Sequence, residues 1–411
     1  MSFILNCNTT IQTEINTTPV LNAIGILQRD MAKVFAKTTE NGGNVILKRG
    51  EAAAESYSIN INDDIVVTAA DDLGFIYALL YISETYLGIK PFWFWLDQQI
   101  ETKTQVAIEP CTYSPEKPAV KFRGWFYNDE VLLLGWNIGS DGRDQWRMAF
   151  EALLRCGGNM AIPGTDKMSR FNRQLAADYG LWITHHHAEP LGAEVFIRAY
   201  PGIDANFADH PELFYKLWED AVIEQKDCNV VWNLCFRGQG DKPFWTSDTS
   251  GKFNTSEKRG ALISSIINKQ CEIVKKYVEN PVFCTNLYGE IMELYTEGYL
   301  TIDSSIIKVQ ADNGYGKMVT RRRGPHNPRV NSMPVKNGGP QGIYYHVSFY
   351  DLQAANHITM LPNSVNFVDS ELSQVLENGG SDFWVINCSN VKPHVYYLDA
   401  VRKKMVWPQY F

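Results

Sequence analysis

From residue 119 onward the chain alternates between two hydrophobic rhythms. Short runs rich in β-branched, aromatic and aliphatic residues recur at 120–128, 158–163, 181–186, 229–236, 282–288, 306–311, 342–348 and 383–388. Runs of this length and content are strand signatures. Between most of them, apolar residues return at three- and four-residue intervals, the period of an amphipathic helix. Trp146, Phe150, Leu153 and Leu154 form one such face. Leu213, Leu217, Trp218 and Val222 form a second, with Asp209 as the expected N-cap. Leu262, Ile266, Ile267, Ile273, Val274 and Val278 form a third. Leu372, Val375 and Leu376 form a fourth, closed by Gly379 and Gly380. Eight strands alternating with helices over roughly 290 residues predict a (β/α)8 TIM barrel.

The first part of the chain has another pattern. Leu21, Ile24, Leu27, Met31 and Val34 place a helix over 18–37. Strand-like pieces follow at 44–48 and 56–68, the second broken by the turn Asn62-Asp63-Asp64. Asp71-Asp72-Leu73-Gly74 then opens a largely apolar helix over 73–87. The expected architecture is α/β: a small α+β N-terminal domain (1–112) before a barrel domain (113–411). Cys111 to Pro118, with Pro115 and Pro118, reads as the linker.

At 411 residues with 45% hydrophobic content, the chain can support a large core, and an aromatic share of 12% suits a flat ligand such as a sugar as well as core packing. A net charge of −8 lacks the basic field that nucleic-acid binding needs, so no nucleic-acid partner is expected. Arg321-Arg322-Arg323 is a short basic run that reads as solvated loop. The eight cysteines show no paired spacing, and several sit inside apolar runs, where they read as small buried hydrophobes of a reducing compartment. No apolar run reaches membrane-spanning length, and the first residues carry no basic n-region. The expectation is a cytoplasmic protein without membrane contact, or a secreted one had a leader been trimmed.

In a TIM barrel, polar residues at the C-terminal strand ends line the active site. Here those ends carry Asn128-Asp129-Glu130, His185-His186-His187 with Glu189, Arg237 with Asp241, Asn286, Tyr288 and Glu290, Asp312-Asn313, Tyr344-Tyr345-His346, and Asn387, Asn390 and Lys392. Carboxylates beside amides suit glycoside hydrolysis, where one acid protonates the leaving oxygen and a base activates water. Arg237 offers a fork for a substrate carboxylate or phosphate. There is no Ser-His-Asp order for acyl transfer and no glycine-rich phosphate loop. The three histidines raise a metal alternative. On a strand, His185 and His187 would share a face and could ligate with Glu189 or His346 as the third ligand. The leading expectation has neither metal nor cofactor.

These residues form ordered motifs: Arg123-Gly124-x-Phe126-x-Asn128-Asp129-Glu130, Glu189-Pro190, Arg237-Gly238-x-Gly240-Asp241, Tyr288-Gly289-Glu290, Asp312-Asn313, Gly342-Ile343-Tyr344-Tyr345-His346 and Asn387-x-x-Asn390-x-Lys392-Pro393. The set resembles glycoside hydrolase family 115, the xylan α-1,2-glucuronidases. The resemblance implies removal of glucuronic or 4-O-methylglucuronic acid from xylan or xylo-oligosaccharide side chains, with inversion. It places the general acid on Glu290 and the candidate base on Asp241. Substrate contacts fall on Asn128, Asp129, His187, Glu189, Arg237, Asn313, Tyr345, His346, Asn387 and Lys392. The expected partner is a glucuronic-acid-bearing oligosaccharide or polysaccharide, with homodimerisation open. Ala161 to Asp166 and Asn390 depart from the family pattern, which commonly has Trp and Asp there. Most members continue into further domains, whereas this chain stops at Phe411, as a short relative or fragment would.

Two other readings stand beside this one: a carbohydrate-binding protein without turnover, and a metal-dependent hydrolase built on His185, His187 and His346. On the glycosidase reading, Glu290 is expected among apolar neighbours that favour its protonated form, and Arg237 beside Asp241. The two carboxyl groups are expected at the roughly 6.5–9.5 Å of an inverting pair.

Overall fold

The computed structural model describes residues 2–128, 133, 135, 136, 138–237, 242–246, 248, 250–320, 329–351, 355–357 and 360–406. The strands are β1 Phe3–Asn6, β2 Thr10–Gln12, β3 Asn44–Arg49, β4 Tyr57–Ile61, β5 Ile65–Ala69, β6 Gln105–Ile108, β7 Cys111–Tyr113, β8 Phe122–Phe126, β9 Met160–Ile162, β10 Trp182–Ile183, β11 Val231–Asn233, β12 Val282–Leu287, β13 Ile307–Ala311, β14 Gln341–His346, β15 Phe349–Asp351, β16 Ala355–His357 and β17 Phe383–Asn387. The helices are α1 Thr18–Val34, α2 Asp72–Ile82, α3 Asp144–Arg155, α4 Lys167–Asp178, α5 Phe196–Ala199, α6 Pro211–Gln225, α7 Ser256–Lys275, α8 Glu290–Thr296, α9 Val365–Glu377 and α10 Val391–Val406.

The chain divides into two compact units. The first comprises residues 1–118, 136–159 and 175–181, so α3 groups with the N-terminal part although it connects β8 to β9 in sequence. Its main sheet runs β2-β3-β5-β4-β7, and β1 pairs with β6. Helix α2 begins where Asp71 caps it, its side chain accepting from the Gly74 N–H at 2.9 Å. The segment read as a linker begins as a strand, because Cys111–Tyr113 pairs antiparallel with β4.

A buried ion network ties this unit together. Both branches of Arg29 reach Glu151 at 2.7 Å, and Arg155 Nε reaches it at 2.8 Å. Arg155 also meets Asp30, whose other contacts include Ser83 Oγ at 2.6 Å. Burial alone would raise the Glu151 pKa, but Arg155 and Arg29 outweigh it and hold the group at about 2. A depressed carboxyl contributes stability above its unfolded value that disappears as pH falls through the folded one. Glu151 should therefore supply on the order of 3 kcal/mol near neutrality, lost between about pH 4.5 and about 2. Glu151→Gln should lower the neutral-pH Tm and flatten the acid limb of a circular-dichroism stability profile. An unchanged acid limb in that variant would show that the network is not what titrates.

The second unit comprises residues 119–135, 160–174 and 182–411. Its sheet is parallel throughout, in the order β10-β9-β8-β17-β14-β13-β12-β11. The two ends of that order meet: Ile183 bridges Val230 in parallel, and Thr184 Oγ1 donates to Val231 O at 2.9 Å. The sheet thus closes into an eight-stranded barrel, as the sequence pattern predicts. Alternate strand residues fill it, among them Phe122 and Phe126, Val309 and Ala311, and Phe383 and Val385. Gly342 permits one close approach, since a Cβ there would lie 1.9 Å from Phe383 O.

Outer helices form near the expected places. Ser364 and Thr255 cap α9 and α7, each side chain accepting from an N–H in the first turn. Gly379 ends α9 with φ at +82°. Helix α6 differs from expectation: it starts at Pro211, and Asp209 accepts from Asn206 Nδ2 instead of capping. Proline at the first helical position has φ preset and no N–H to cap. The buried face of α6 is also turned, with Phe214 and Ala221 inside and Leu213 and Leu217 only partly covered.

Candidate active site

The C-terminal strand ends gather most of the expected polar residues, and their partners differ from the sequence reading. Asp129, Glu130 and Asp241 lie outside the described residues, so the separation of Glu290 from Asp241 does too. Asn128, two residues past the end of β8, is half-buried.

The centre is an ion pair between neighbouring strands. Just past β11, Arg237 donates from Nε to Glu290 Oε1 at 2.7 Å and from Nη2 to Oε2 at 2.9 Å. Both side chains are about nine-tenths buried, at 9% and 11% exposure. This is the two-pronged geometry that makes guanidinium–carboxylate pairs strong. Gly289 makes it reachable: its φ of +56° with ψ of −121° is open to glycine, and it turns the chain so that Glu290 starts α8 facing back toward Arg237. The expectation that Glu290 sits in apolar company is corrected accordingly, and the expected Arg237–Asp241 contact lies outside the described residues. The two side chains come from loops on adjacent strands, and opposite charges at that spacing pair.

A layer of rings supports the pair. The Tyr288 ring stacks on His187 at 3.8 Å and 15°, and the Arg237 guanidinium lies 5.1 Å from the Tyr288 centroid. Tyr344 stands 5.6 Å from His187 and 5.8 Å from Tyr288. Below them, Asn286 Nδ2 donates to Asn233 Oδ1 at 3.0 Å, and Asn233 Nδ2 donates to His186 O at 2.9 Å. This ladder joins three strand ends and orients the histidine loop. Asn233 was missed from sequence; its signal was a lone amide in the otherwise apolar run Val230 to Cys235.

The histidines separate. Strand β10 ends at Ile183, so the alternation invoked for His185 and His187 does not extend to them. His185 turns outward, its Nε2 within 2.8 Å of Gln225 Oε1 on α6, whereas His187 stacks on Tyr288. Burial, with Arg173 nearby, pushes the His185 pKa down to about 3, so it is neutral. His346 is held by Asp312 through Nδ1, and Asp312 Oδ2 also accepts from the Gly314 and Gly316 N–H groups. The three rings proposed as metal ligands are therefore committed to separate surroundings. Among the described residues, no group of three or more His, Cys, Asp or Glu side chains could hold a metal ion.

Strands β14 and β17 bring further adjustments. Tyr344 faces the barrel interior, while Tyr345 faces the other way and donates to Gly316 O at 2.8 Å. Burial pushes the Tyr345 phenol well above its ordinary value. Of these two, Tyr344 is the phenol that faces the site, and Asn387 Nδ2 donates to its hydroxyl at 2.8 Å. Asn387 Oδ1 accepts from Ser389 N, and Asn313 Oδ1 accepts from Tyr315 N at 2.9 Å, so both oxygens shape loops. Lys392 is exposed in the first turn of α10. Among the described residues, the buried polar atoms without a partner include His346 Nε2 and both amide atoms of Asn390.

Beside the ion pair lies a cavity of about 190 Å³. Arg237, His186 and Glu189 supply polar wall, and Phe214, Trp218 and Phe236 supply apolar wall. Glu189 is fixed by the Asp166 N–H at 2.9 Å, which links the loops after β9 and β10. The arrangement can bind a ring-shaped polar ligand against aromatic faces and can bring a carboxyl group and a guanidinium to it.

The model of glycosyl hydrolase family 115 matches residues 115–409. Among solved structures, the chain is similar to a family GH115 4-O-methyl-α-glucuronidase with specificity for decorated arabinogalactans, at TM-score 0.83 and 20% identity. That alignment covers 99% of this chain and 58% of the other, so the chain spans under two thirds of that enzyme's length. It is also similar to a GH20 exo-β-N-acetylglucosaminidase from Vibrio harveyi, at TM-score 0.60 and 11% identity over 100% of this chain and 73% of that one. A GH138 enzyme targeting pectin rhamnogalacturonan II aligns at TM-score 0.55 and 10% identity, over 97% and 51% of the two chains. At these identities the likenesses speak to the fold. Comparison with curated proteins finds no match.

Proposed function

The chain belongs to glycosyl hydrolase family 115, and from that premise we propose that it is a glycoside hydrolase removing glucuronic or 4-O-methylglucuronic acid from glycan side chains. The observation that carries this reading is the Arg237–Glu290 pair set over the His187–Tyr288 stack at the barrel mouth. One group can protonate a glycosidic oxygen and the other can read a uronate carboxylate. The cavity beside the pair offers the apolar wall of Phe214, Trp218 and Phe236 to the sugar, and His346 and Asn390 offer buried polar atoms to its hydroxyls. Glu290 acts as the acid. Asp241 is the candidate base, activating water for attack from the opposite face of the sugar, which inverts the anomeric centre.

Xylan and xylo-oligosaccharides are the first substrates to test. The similar 4-O-methyl-α-glucuronidase is specific for decorated arabinogalactans, so these belong in the same panel. The measurement is uronic acid release, with proton NMR of the first product. Release with inverted anomer is expected. Binding of a glucuronate-bearing oligosaccharide with intact substrate after long incubation selects the non-catalytic reading instead.

Asn390 gives a prediction in which stability and activity part. A buried amide without a protein partner costs stability in the free protein, so an apolar replacement of similar shape is neutral or stabilising. Asn390→Leu should keep or raise the Tm while raising KM for aldouronic oligosaccharides about tenfold, the loss of one or two hydrogen bonds of ~1 kcal/mol each. A lower Tm with unchanged KM would make Asn390 a structural residue.

A further inference from the structure

The acid catalyst of the proposed reaction is held in a form unsuited to its task. Arg237 occupies both Glu290 oxygens, at 2.7 and 2.9 Å, and the pair is about nine-tenths buried. A general acid needs a proton and a carboxyl oxygen turned to the leaving group. We propose that the Arg237–Glu290 pair is a latch opened by the substrate's own carboxylate, so that Glu290 becomes a proton donor only when a uronate occupies the site. This rests on the uronosidase reading and adds the means by which that site selects acidic sugars.

The argument is one of charge and geometry. The buried pair is neutral overall, and a uronate entering it adds one negative charge. The guanidinium is the same fork that a substrate carboxylate would take. If it transfers to the substrate, Glu290 loses its counter-charge in a site closed off by rings, where an uncompensated carboxylate is costly. Taking one proton from solvent restores neutrality at Glu290. The guanidinium is already at the place a ligand would reach, because Arg237 lines the cavity beside the pair. Among the described residues, other titratable groups near the pair are His186, His187 and Glu189 from the loop after β10, Cys235 after β11, Tyr288 beside Glu290, and Tyr344 from β14. Burial holds the Cys235 thiol well above its usual value, so it adds no charge.

The cycle balances. Glu290 takes a proton from solvent as the uronate binds and gives it to the glycosidic oxygen as the C1–O bond breaks. Water bonds to C1 and passes its proton to the base and then to solvent. As the uronic acid product leaves, Arg237 returns to the ionised Glu290. A neutral hexoside cannot compete for the guanidinium, so it meets an acid without its proton.

The test is titration calorimetry of D-glucuronate into the whole chain at pH 7, in buffers of different ionisation enthalpy. The slope of binding enthalpy against buffer enthalpy counts protons. Uptake near one proton per glucuronate is expected, falling to near zero in Glu290→Gln with binding retained. Glucuronate binding without proton uptake overturns the latch and leaves the uronate reading standing, as does equal uptake in Glu290→Gln. No glucuronate binding at any concentration, together with no uronic acid release, overturns the underlying reading and the latch with it.

Discussion

On the proposed reading, Glu290→Gln should lower turnover of natural glucuronosides by about 10²–10⁴, the contribution typical of general acid catalysis. A xylose hydroxyl is a poor leaving group and must be protonated as it departs, whereas an aryl glucuronide with an acidic phenol departs unaided. The variant should therefore lose less than about tenfold on the aryl substrate. Glutamine keeps the side-chain length and can still accept one bond from Arg237, but it leaves the buried guanidinium without its counter-charge, so a somewhat lower Tm is expected alongside, with the variant still folded at the assay temperature. Equal losses on both substrates would move the acid role to another residue. Glu290 follows Gly289 at the start of α8, and the positive φ of that glycine is what turns the carboxyl into the site.

Arg237→Lys should reduce kcat/KM for a glucuronide by about 10²–10³, equivalent to ~3–4 kcal/mol, by exchanging a planar fork for a single-point ammonium. Lysine keeps the charge, so a purely coulombic role predicts a small effect, whereas bidentate recognition predicts a large one. The control is a neutral aryl α-glucoside of the same leaving group. If Arg237 reads the substrate carboxylate, the charged substrate suffers and the neutral one is little affected. If the residue only props Glu290, both fall together. The structure makes the competition concrete, because the fork that would read the substrate is already engaged by Glu290.

The elements of the barrel could be read from sequence because their signals are local. Residues 282–288, with their dense β-branched and aromatic content, become Val282–Leu287, and 383–388 become Phe383–Asn387. The residues at the strand ends were legible for the same reason, since a barrel strand delivers whatever follows it to one face. Very short elements were harder. Strands β1, β2, β6 and β7 have three or four residues each, too few for a period to show. The α6 start was misplaced because two N-terminal signals lay side by side, Asp209 and Pro211, and the proline prevailed.

What the amino-acid order determined by itself was the eight barrel strands, several of the outer helices and the inventory of groups at the mouth of the barrel, since these depend on residues within a few positions of one another. Which of those groups would meet was decided by tertiary structure. Arg237 and Glu290 lie 53 residues apart, and only the parallel pairing of β11 with β12 sets their loops side by side. His185 and His187 follow a strand that ends at Ile183, so in the loop beyond it α6 and Tyr288 divide them between two environments. Tyr344 rather than Tyr345 enters the site because barrel closure determines which face of β14 points inward. Local patterns carry the period of a strand, but the direction of a side chain beyond the strand's end, and the partner it finds, depend on distances that exist only once the sheet has closed.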